Sequence, residues 1–464
     1  MAALGPMPMP MPMRGRVAIV AKNLATIGLL AAVLPINLML VATALVAREI
    51  RQRLTAERPG VRSPNPKSVL ISGGKMSKAL QLARFFHDAG HRVVLIESHG
   101  YWLTGHRFSR AVDQFFTLPK PGAADYESAL LAIIQREKID VYVPVCSPVA
   151  SLYDSRAMPA LAALAPQCEV IHVEPDTIMR LDDKYQFAVA AQALGLAVPK
   201  SFLITDPQQV IDFDFSNERR PYILKSINYD SVRRLDLTRL PASSPQATAD
   251  FARSLPISAA NPWILQEFIR GQEFCTHGTF RGGELRVHGC CESSAFQINY
   301  AHIDRPDIEA WVTRFGAGLE LTGQASFDFI QAADDGTVYA IECNPRTHSA
   351  ITMFYDSAVV ADAYLGNPLA LSPVRPSAAS RPTYWIYHEA WRLLGSLRSL
   401  TAARARLKTI ASGVDAVFEW RDPLPFLMLH HWHIPLLLLR DVREQRGWLK
   451  IDFNIGKLVQ LGGD

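Results

Sequence analysis

Residues Gly323 to Ser349, GQASFDFIQAADDGTVYAIECNPRTHS, decide how the chain is read. An apolar run, SFDFIQA, meets the turn Asp334-Asp335-Gly336, and a second run, TVYAIECN, follows, which predicts a β-hairpin. Strand alternation places Glu342 and Asn344 on one face, with Arg346 next in the row unless Pro345 ends the strand. Asp328 lies on the partner strand, where the hairpin can return it beside that face. Two carboxylates and an amide oxygen form a hard, oxygen-rich set suited to Mg2+ that also holds phosphate oxygens. Arg346 adds a planar charge for a phosphate in transfer. A hairpin with a solvated acidic face and one salt bridge fits the same residues.

The chain has 464 residues, enough for two to three domains with a sizeable core. A formal net charge of +4, without a basic tract or an RNA-binding signature, argues against nucleic acid as a partner. Cys146, Cys168, Cys275, Cys290, Cys291 and Cys343 show no zinc spacing and read as reduced and mostly buried, which favours the cytoplasm.

Residues 1–66 lie outside the catalytic body. Pro6 to Met13 is a Pro-Met alternation that cannot build a core. No charged side chain interrupts residues 24–47, LATIGLLAAVLPINLMLVATALVA, a length that can span a bilayer. The heavier basic flank, from Arg48 and Arg51 to Arg62, places the body on the cytoplasmic side. Pro35 and Asn37 sit mid-stretch, so a bent, in-plane or re-entrant pair of helices competes with a span, and a helix packed inside the protein is the third reading.

From Lys67, SVLISGG, KMSKALQLARFFHDAGH, RVVLIES, YESALLAIIQREKID and VYVPVCS alternate strand and helix. Residues 67–174 are therefore expected to form a parallel, Rossmann-like α/β domain. Ser72-Gly73-Gly74-Lys75 contacts substrate or makes a tight turn; it matches no nucleotide-loop pattern. Cys146-Ser147-Pro148 ends another strand at the same sheet edge.

Residues 175–366 change in texture. DTIMRL predicts a short helix, and Asp182-Asp183 caps the next one, placing Lys184 in its first turn. A cation tolerated at that helix end points to an anionic partner, or to a lysine with its head in water. YILKSI carries Lys225 on a strand, then comes the loop NYDSVRR and a further strand, LDLTRL. A helix, PQATADFARSL, and a strand, WILQEFI, follow, with Gln266 and Glu267 beside main chain that could read an adenine edge and a ribose. Glu273 comes after Gly271, and the strands EFCTHGTF and ELRVHGCC put Arg286 and His288 on one face.

The order of these pieces resembles the ATP-grasp superfamily: a helix-start lysine, a strand lysine with a polar loop, QEFIRGQE, and then Asp328 with Glu342-x-Asn344-x-Arg346. The resemblance covers roughly residues 67–364. It implies an α/β fold with a Rossmann-like leading domain and two sub-domains closing on ATP with Mg2+, or Mn2+ in its place. It further implies phosphate contacts from Lys184 and Lys225, and adenine and ribose contacts from Gln266, Glu267 and the main chain of Phe268 and Ile269, with Glu273 nearby. Asp328, Glu342 and Asn344 would be metal ligands and Arg346 the phosphate arginine. Such enzymes have a glycine-rich loop where Ser226 to Arg234 has none, so either the lid is less mobile or Ser231 with Arg233 or Arg234 would hold phosphate instead.

SGGKMSKALQLAR, the HRFS element after Gly105, IDVYVPVCSPVAS, YILKSINYDSVRRL, SSAFQINY, AIECNPRTHSAITMFY, LHHW and GWLKIDFNIGKLVQLGGD are similar to the ATP-grasp ligases of mycosporine-like amino acid biosynthesis. That resemblance implies an ADP- and phosphate-forming carbon–nitrogen ligase that joins glycine to a cyclohexenone, 4-deoxygadusol. Arg286 or Arg346 would then take glycine's carboxylate. His348 and Ser349 would bind ring oxygens or accept the amine proton, or His348 would be a satisfied core histidine. A carboxylate–amine ligase on another acid, and a catalytically silent ATP-binding membrane regulator, are the competing functions.

Residues 367–464 form an apolar extension. TYWIYHEAWRLLGSLRSL and PLPFLMLHHWHIPLLLL suit a surface on lipid beside the N-terminal segment, or the interface of a homo-oligomer. His430, His431 and His433 lack a nearby carboxylate, so packing is expected there rather than a metal.

Overall fold

The computed structural model describes residues 13–54, 63–145, 147–227, 233, 236–293 and 299–460. The Pro-Met run, Arg58, Arg62, Cys146, Ser231, Arg234, the centre of SSAFQINY and the final LGGD lie outside the described residues. The apolar N-terminal stretch is one helix, α1 (Met13–Leu54), which continues through Pro35. A re-entrant pair is excluded, because Pro35 removes one helical hydrogen bond without breaking the rod.

The leading α/β unit comprises β1 (Ser68–Ile71), α2 (Ser77–Asp88), β2 (Arg92–Ser98), β3 (Gln114–Leu118) and α3 (Tyr126–Glu137). It continues with β4 (Val141–Val143), α4 (Pro148–Arg156), α5 (Met158–Leu164) and β5 (Glu169–Val170). Every pairing is parallel, in the order β3-β2-β1-β4-β5, as strands buried on both faces with helical crossovers require.

Two helices, α6 (Pro175–Asp182) and α7 (Lys184–Ala193), lead into a small antiparallel sheet. Its strands are β6 (Ser201–Ile204), β7 (Tyr222–Ser226) and β8 (Trp263–Glu267), in the order β6-β8-β7, with α8 (Pro207–Ile211) and α9 (Pro245–Ser254) packed on them. The expected strand LDLTRL does not form. Residues 236–239 are irregular, and Leu240 alone bridges Tyr222, because the segment satisfies its apolar side by burying that one leucine.

The larger antiparallel sheet runs β10-β9-β12-β13, built from β9 (Gly271–Arg281), β10 (Glu284–Glu292), β12 (Gly323–Ala332) and β13 (Val338–Asn344). Between β10 and β12 come β11 (Asn299–Tyr300) and α10 (Pro306–Gly318). Alternation sorts its two faces. Phe274, Phe327, Phe329 and Cys343 pack inward on Phe187 of α7 and on Trp311 and Phe315 of α10. The intervening Glu273, Asp328 and Glu342 therefore face the other way.

After α11 (Val360–Leu365) the chain forms β14 (Thr383–Tyr384), α12 (Ile386–Ser396), α13 (Leu400–Ser412), β15 (Val414–Asp415) and α14 (Leu424–Met428). A π-turn at Leu429–His433 leads to α15 (Ile434–Glu444), then a hairpin of β16 (Trp448–Asp452) and β17 (Lys457–Gln460). This part is no appendage. One apolar core joins Leu30 of α1, Val69, Ile71 and Phe86 of the leading unit, and Phe426, Leu429, Ile434, Leu438 and Phe453 of the extension. Arg84 of α2 is buried in a 3.0 Å ion pair with Asp422, which also accepts from the Ser109 hydroxyl. PLPFLMLHHWHIPLLLL is therefore apolar chiefly because it completes this core. Its histidines pack as expected: His430 stacks on Tyr387 at 4.1 Å and His433 meets Tyr101 edge-on. Among the described residues, no group of three His, Cys, Asp or Glu side chains is arranged to hold a metal. The five described cysteines are buried thiols, and Cys275 and Cys291 meet across β9 and β10 at 3.3 Å.

Candidate active site

The hairpin register puts Asp328 directly opposite Glu342, and Ser326 opposite Asn344. Asp328 also faces Cys275 on β9, with Ile330 facing Glu273, so Glu273 joins the same acidic face one pleat away. Lys184 stands at the first position of α7, whose N-cap is Asp183: its carboxylate accepts from the Tyr185 and Gln186 amides. That cap points the lysine at the hairpin, where its Nζ lies 3.7 Å from Glu342 Oε1. Asp182, expected to share the capping, instead pairs with Arg346 at 3.3 Å. Arg346 also donates to Asn344 Oδ1.

Lys225 on β7 donates to Gln266 Oε1 at 3.0 Å. Burial pushes its pKa below the usual lysine range, while Glu342, Glu273 and Asp328 pull it back up. Asp328 is pushed up to about 7, first by burial and then by repulsion from Glu342, with Arg346 and Lys225 opposing. A carboxylate buried opposite a second one in this register is costly without a cation nearby. Asp328, Glu342 and the Asn344 oxygen thus fit a divalent ion that completes its shell with phosphate oxygens and water. The structure brings together Lys184, Lys225, Gln266, Glu273, Asp328, Glu342, Asn344 and Arg346.

Glu267 lies at the edge of this group. Its carboxylate accepts from Arg220 and from the Lys200 amide, both at 3.3 Å. The Phe268 amide donates to Pro221 O at 2.8 Å, and Ile269 is buried just beyond. Arg220 also grips Asp334 and Asp335 in the hairpin turn, at 2.7 and 2.6 Å, tying the small sheet to the metal-face hairpin.

Arg286 does not belong here. Its strand residue aligns near Gly323 and Gln324, five positions along β10 from Cys291 and so about 17 Å from the Asp328 level. Its guanidinium is spent on Glu284 and on Asn367 O. Face alternation alone could not reveal the position along the strand. The amides of the Ser72–Lys75 turn are likewise occupied: Gly74 donates to Ile96 O, Lys75 to Glu97 and Met76 to Gly73 O. The segment is a tight turn, with Gly73 at φ +69° and no room for a Cβ against Val145 O.

His348 Nδ1 accepts from the Ala350 amide at 3.2 Å, which leaves the proton on Nε2. Burial, with Lys78 and Arg346 nearby, drives its pKa down to about 3. A neutral imidazole with one N–H is a hydrogen-bond donor and a poor proton acceptor. The pH profile of turnover between pH 6 and 9 should therefore be the same for His348→Asn as for the parent, since Asn can retain the cap. A limb near pH 6.5 that vanishes in the variant would make His348 the base.

Several supporting residues escaped the sequence. Lys78, buried at the start of α2, donates to Thr347 O at 2.6 Å, and Gln324 accepts from the Thr347 hydroxyl at 2.7 Å and from Tyr364 at 2.6 Å. Together they brace the loop that carries Arg346 and His348. The turn between β16 and β17 closes the same side: Asn454 donates to Ser349 Oγ at 2.7 Å, and the Ser77 amide donates to Asn454 O at 2.8 Å. No local pattern announces contacts between residues so far apart in the chain.

Family models and curated proteins offer no match to the chain. Solved structures do. The chain superposes on N5-carboxyaminoimidazole synthetase from Staphylococcus aureus complexed with ADP at a TM-score of 0.50 and 15% identity, covering 70% of this chain and 82% of that one. An ADP complex of an N5-carboxyaminoimidazole ribonucleotide synthetase gives 0.53 and 16%, covering 73% and 86%. The biotin carboxylase domain of Hydrogenobacter thermophilus 2-oxoglutarate carboxylase, with MgADP and bicarbonate, gives 0.51 and 13%, covering 66% and 71%. At such identities the likeness speaks for architecture, and it agrees with the parallel leading sheet, the small antiparallel sheet and the acidic hairpin: the chain has the ATP-grasp fold.

Proposed function

We propose that this chain is an ATP-dependent carbon–nitrogen ligase, forming ADP and phosphate, that joins glycine to the enolised cyclohexenone 4-deoxygadusol. The observation that carries the ligase reading is the Asp328–Glu342 pair, register-matched on an ATP-grasp hairpin with Lys184 at 3.7 Å and Lys225 on the facing sheet. The substrate pair rests on the sequence resemblance. A carboxylate–amine ligase acting on another acid is the second reading, favoured by the same cation-rich cleft.

In this reading Lys184 and Lys225 hold the triphosphate, and the segment Glu267–Ile269 holds the adenosine, with Gln266 and Glu273 at its flank. The Phe268 amide and the Glu267 carboxylate already have partners, so the adenine edge would fall to the carbonyls of this segment and the Ile269 amide. Asp328, Glu342 and Asn344 would hold Mg2+, which when bound neutralises phosphate oxygens. The ring's enol oxygen, part of a vinylogous acid, attacks the γ-phosphorus and ADP leaves. Arg346 and Lys225 stabilise charge on the phosphoryl group in flight. Glycine's amine then adds to the activated ring carbon, the carbon–oxygen bond breaks, phosphate departs, and nitrogen loses a proton. His348 Nε2–H donates to a ring oxygen, and Arg346 is the candidate for glycine's carboxylate. The protein supplies positioning and water exclusion more than covalent chemistry. We place this activity at the cytoplasmic face of a membrane.

Purified protein given ATP, Mg2+, 4-deoxygadusol and a panel of amino acids should release ADP and form an ultraviolet-absorbing conjugate with glycine. ADP release without that product would reject the substrate pair and leave the wider ligase standing.

A further inference from the structure

Among the described residues, one helix is long and apolar enough to cross a membrane, yet its surroundings are wrong for a crossing. Asn23, Leu30, Asn37 and Ala44 stand seven residues apart, one seam along α1, and all four are buried. That seam lies on the protein. Asn23 donates to Arg446 O and accepts from the Trp448 indole, and Asn37 donates to the Tyr387 hydroxyl and meets His431. A spanning helix needs about 20 residues with hydrocarbon on its free sides and no hydrated body at their depth. Here the body runs along the helix from Asn23 to Ala44 and includes the ionisable Arg440 and Asp441 of α15.

The opposite side of α1 is bare. Val17, Leu24, Ile36, Met39, Val46 and Ile50 project outward, and only 22% of the most apolar window is buried. Trp432 and Leu439, on the π-turn and helix that cradle α1, are exposed beside it. A second apolar element joins from α12. Tyr387, which touches α1, is followed one and two turns later by exposed Trp391 and Leu394 on the same helical face. Residues 390–413 carry five cations, of which Arg392 and Arg406 pair with the buried Glu389 at 3.2 and 3.7 Å, while Arg398, Arg404 and Lys408 add charge along the same stretch. Apolar and indole side chains beside a net-positive hairpin match the boundary of an anionic bilayer.

We propose that the chain binds an anionic lipid surface from one side, with α1 lying in the membrane plane and the α12–α13 hairpin reaching the headgroups. Polar groups on the inner seam of α1 hold the helix to the body, and the outer face enters the acyl boundary. A second copy of this chain is the rival occupant; the net positive charge of Arg398, Arg404 and Lys408 would repel its own image across a two-fold contact.

The full chain should float with vesicles of phosphatidylcholine and phosphatidylglycerol, and bind pure phosphatidylcholine vesicles about tenfold less, with the difference shrinking in high salt. The outward double variant Ile36→Asp/Met39→Asp should lose about tenfold or more of this binding while its circular dichroism stays unchanged. Arg404→Glu/Lys408→Glu should abolish the preference for the anionic lipid. In sealed vesicles, cysteines introduced as Arg16→Cys and Arg53→Cys, exposed charged positions at the two ends of α1 that an in-plane helix keeps in water, should both react fully with an impermeant maleimide added outside. Protection of either position would mean a crossing and overturn the proposal. It would equally be overturned if the Ile36→Asp/Met39→Asp variant dissociated a dimer and bound vesicles like the parent.

Discussion

Glu342→Gln should lower ligase turnover about a thousandfold, or about 4 kcal/mol of transition-state stabilisation, while leaving thermal unfolding unchanged. The glutamine keeps the volume and one oxygen donor but removes the charge opposite Asp328. With that charge gone, the main repulsion from a neighbouring group that raises Asp328 disappears, and Lys184 loses its nearest carboxylate. The pair would no longer hold a divalent ion against phosphate. Stability should survive because Glu342 lies on the cleft face, opposite the aromatic layer of Phe327, Phe329 and Trp311. ADP release measured beside a melting curve separates the two effects. Full activity in this variant would remove the metal assignment altogether.

Gly105→Ala should cost about 3 kcal/mol of stability and lower the melting temperature by roughly 5 °C. A Cβ at Gly105 would stand 2.7 Å from Leu429 Cα and 2.8 Å from the Met428 carbonyl carbon. Those are backbone atoms of the π-turn and its preceding helix, so no side chain can rotate away. Gly105 opens a short 3-10 turn after β2, where a sequence reader expects a tolerant loop glycine. An unshifted melting curve would mean that the leading unit and the extension do not share the close contact described above.

The hairpin was legible because its period-2 pattern is strict. Phe327, Phe329 and Cys343 need a core, so Asp328 and Glu342 must face away, and the turn between Ala332 and Val338, with Gly336 at φ +73°, sets the register. Lys184 was legible through the cap at Asp183, a local signal. Arg286 misled for a related reason: alternation predicts the face of a residue, whereas its distance from a site depends on strand pairing and on the bulge between Leu285 and Val287. LDLTRL alternates like a strand, yet β7 found its partner in β8 and left only Leu240 a bridge. Lys78, Gln324 and Asn454 were hidden altogether, since each acts on residues of the 345–349 loop or its flank from a remote part of the chain. The extension read as lipid-facing throughout because a buried core and a bilayer select the same side chains.

The turn joining β16 and β17 presses Gly456 against Lys75 and His433 and hands Asn454 to Ser349. Everything it touches is synthesised earlier. The brace beside His348 thus arrives after the acidic hairpin and the lysines that face it, and a nascent chain lacks it until the β16–β17 hairpin emerges. On the proposed ligase reading, bulk added near that hairpin, or a stop codon shortly before it, would strike at acceptor binding while sparing the proposed nucleotide site, so idle ATP breakdown is the failure to watch for in shortened forms.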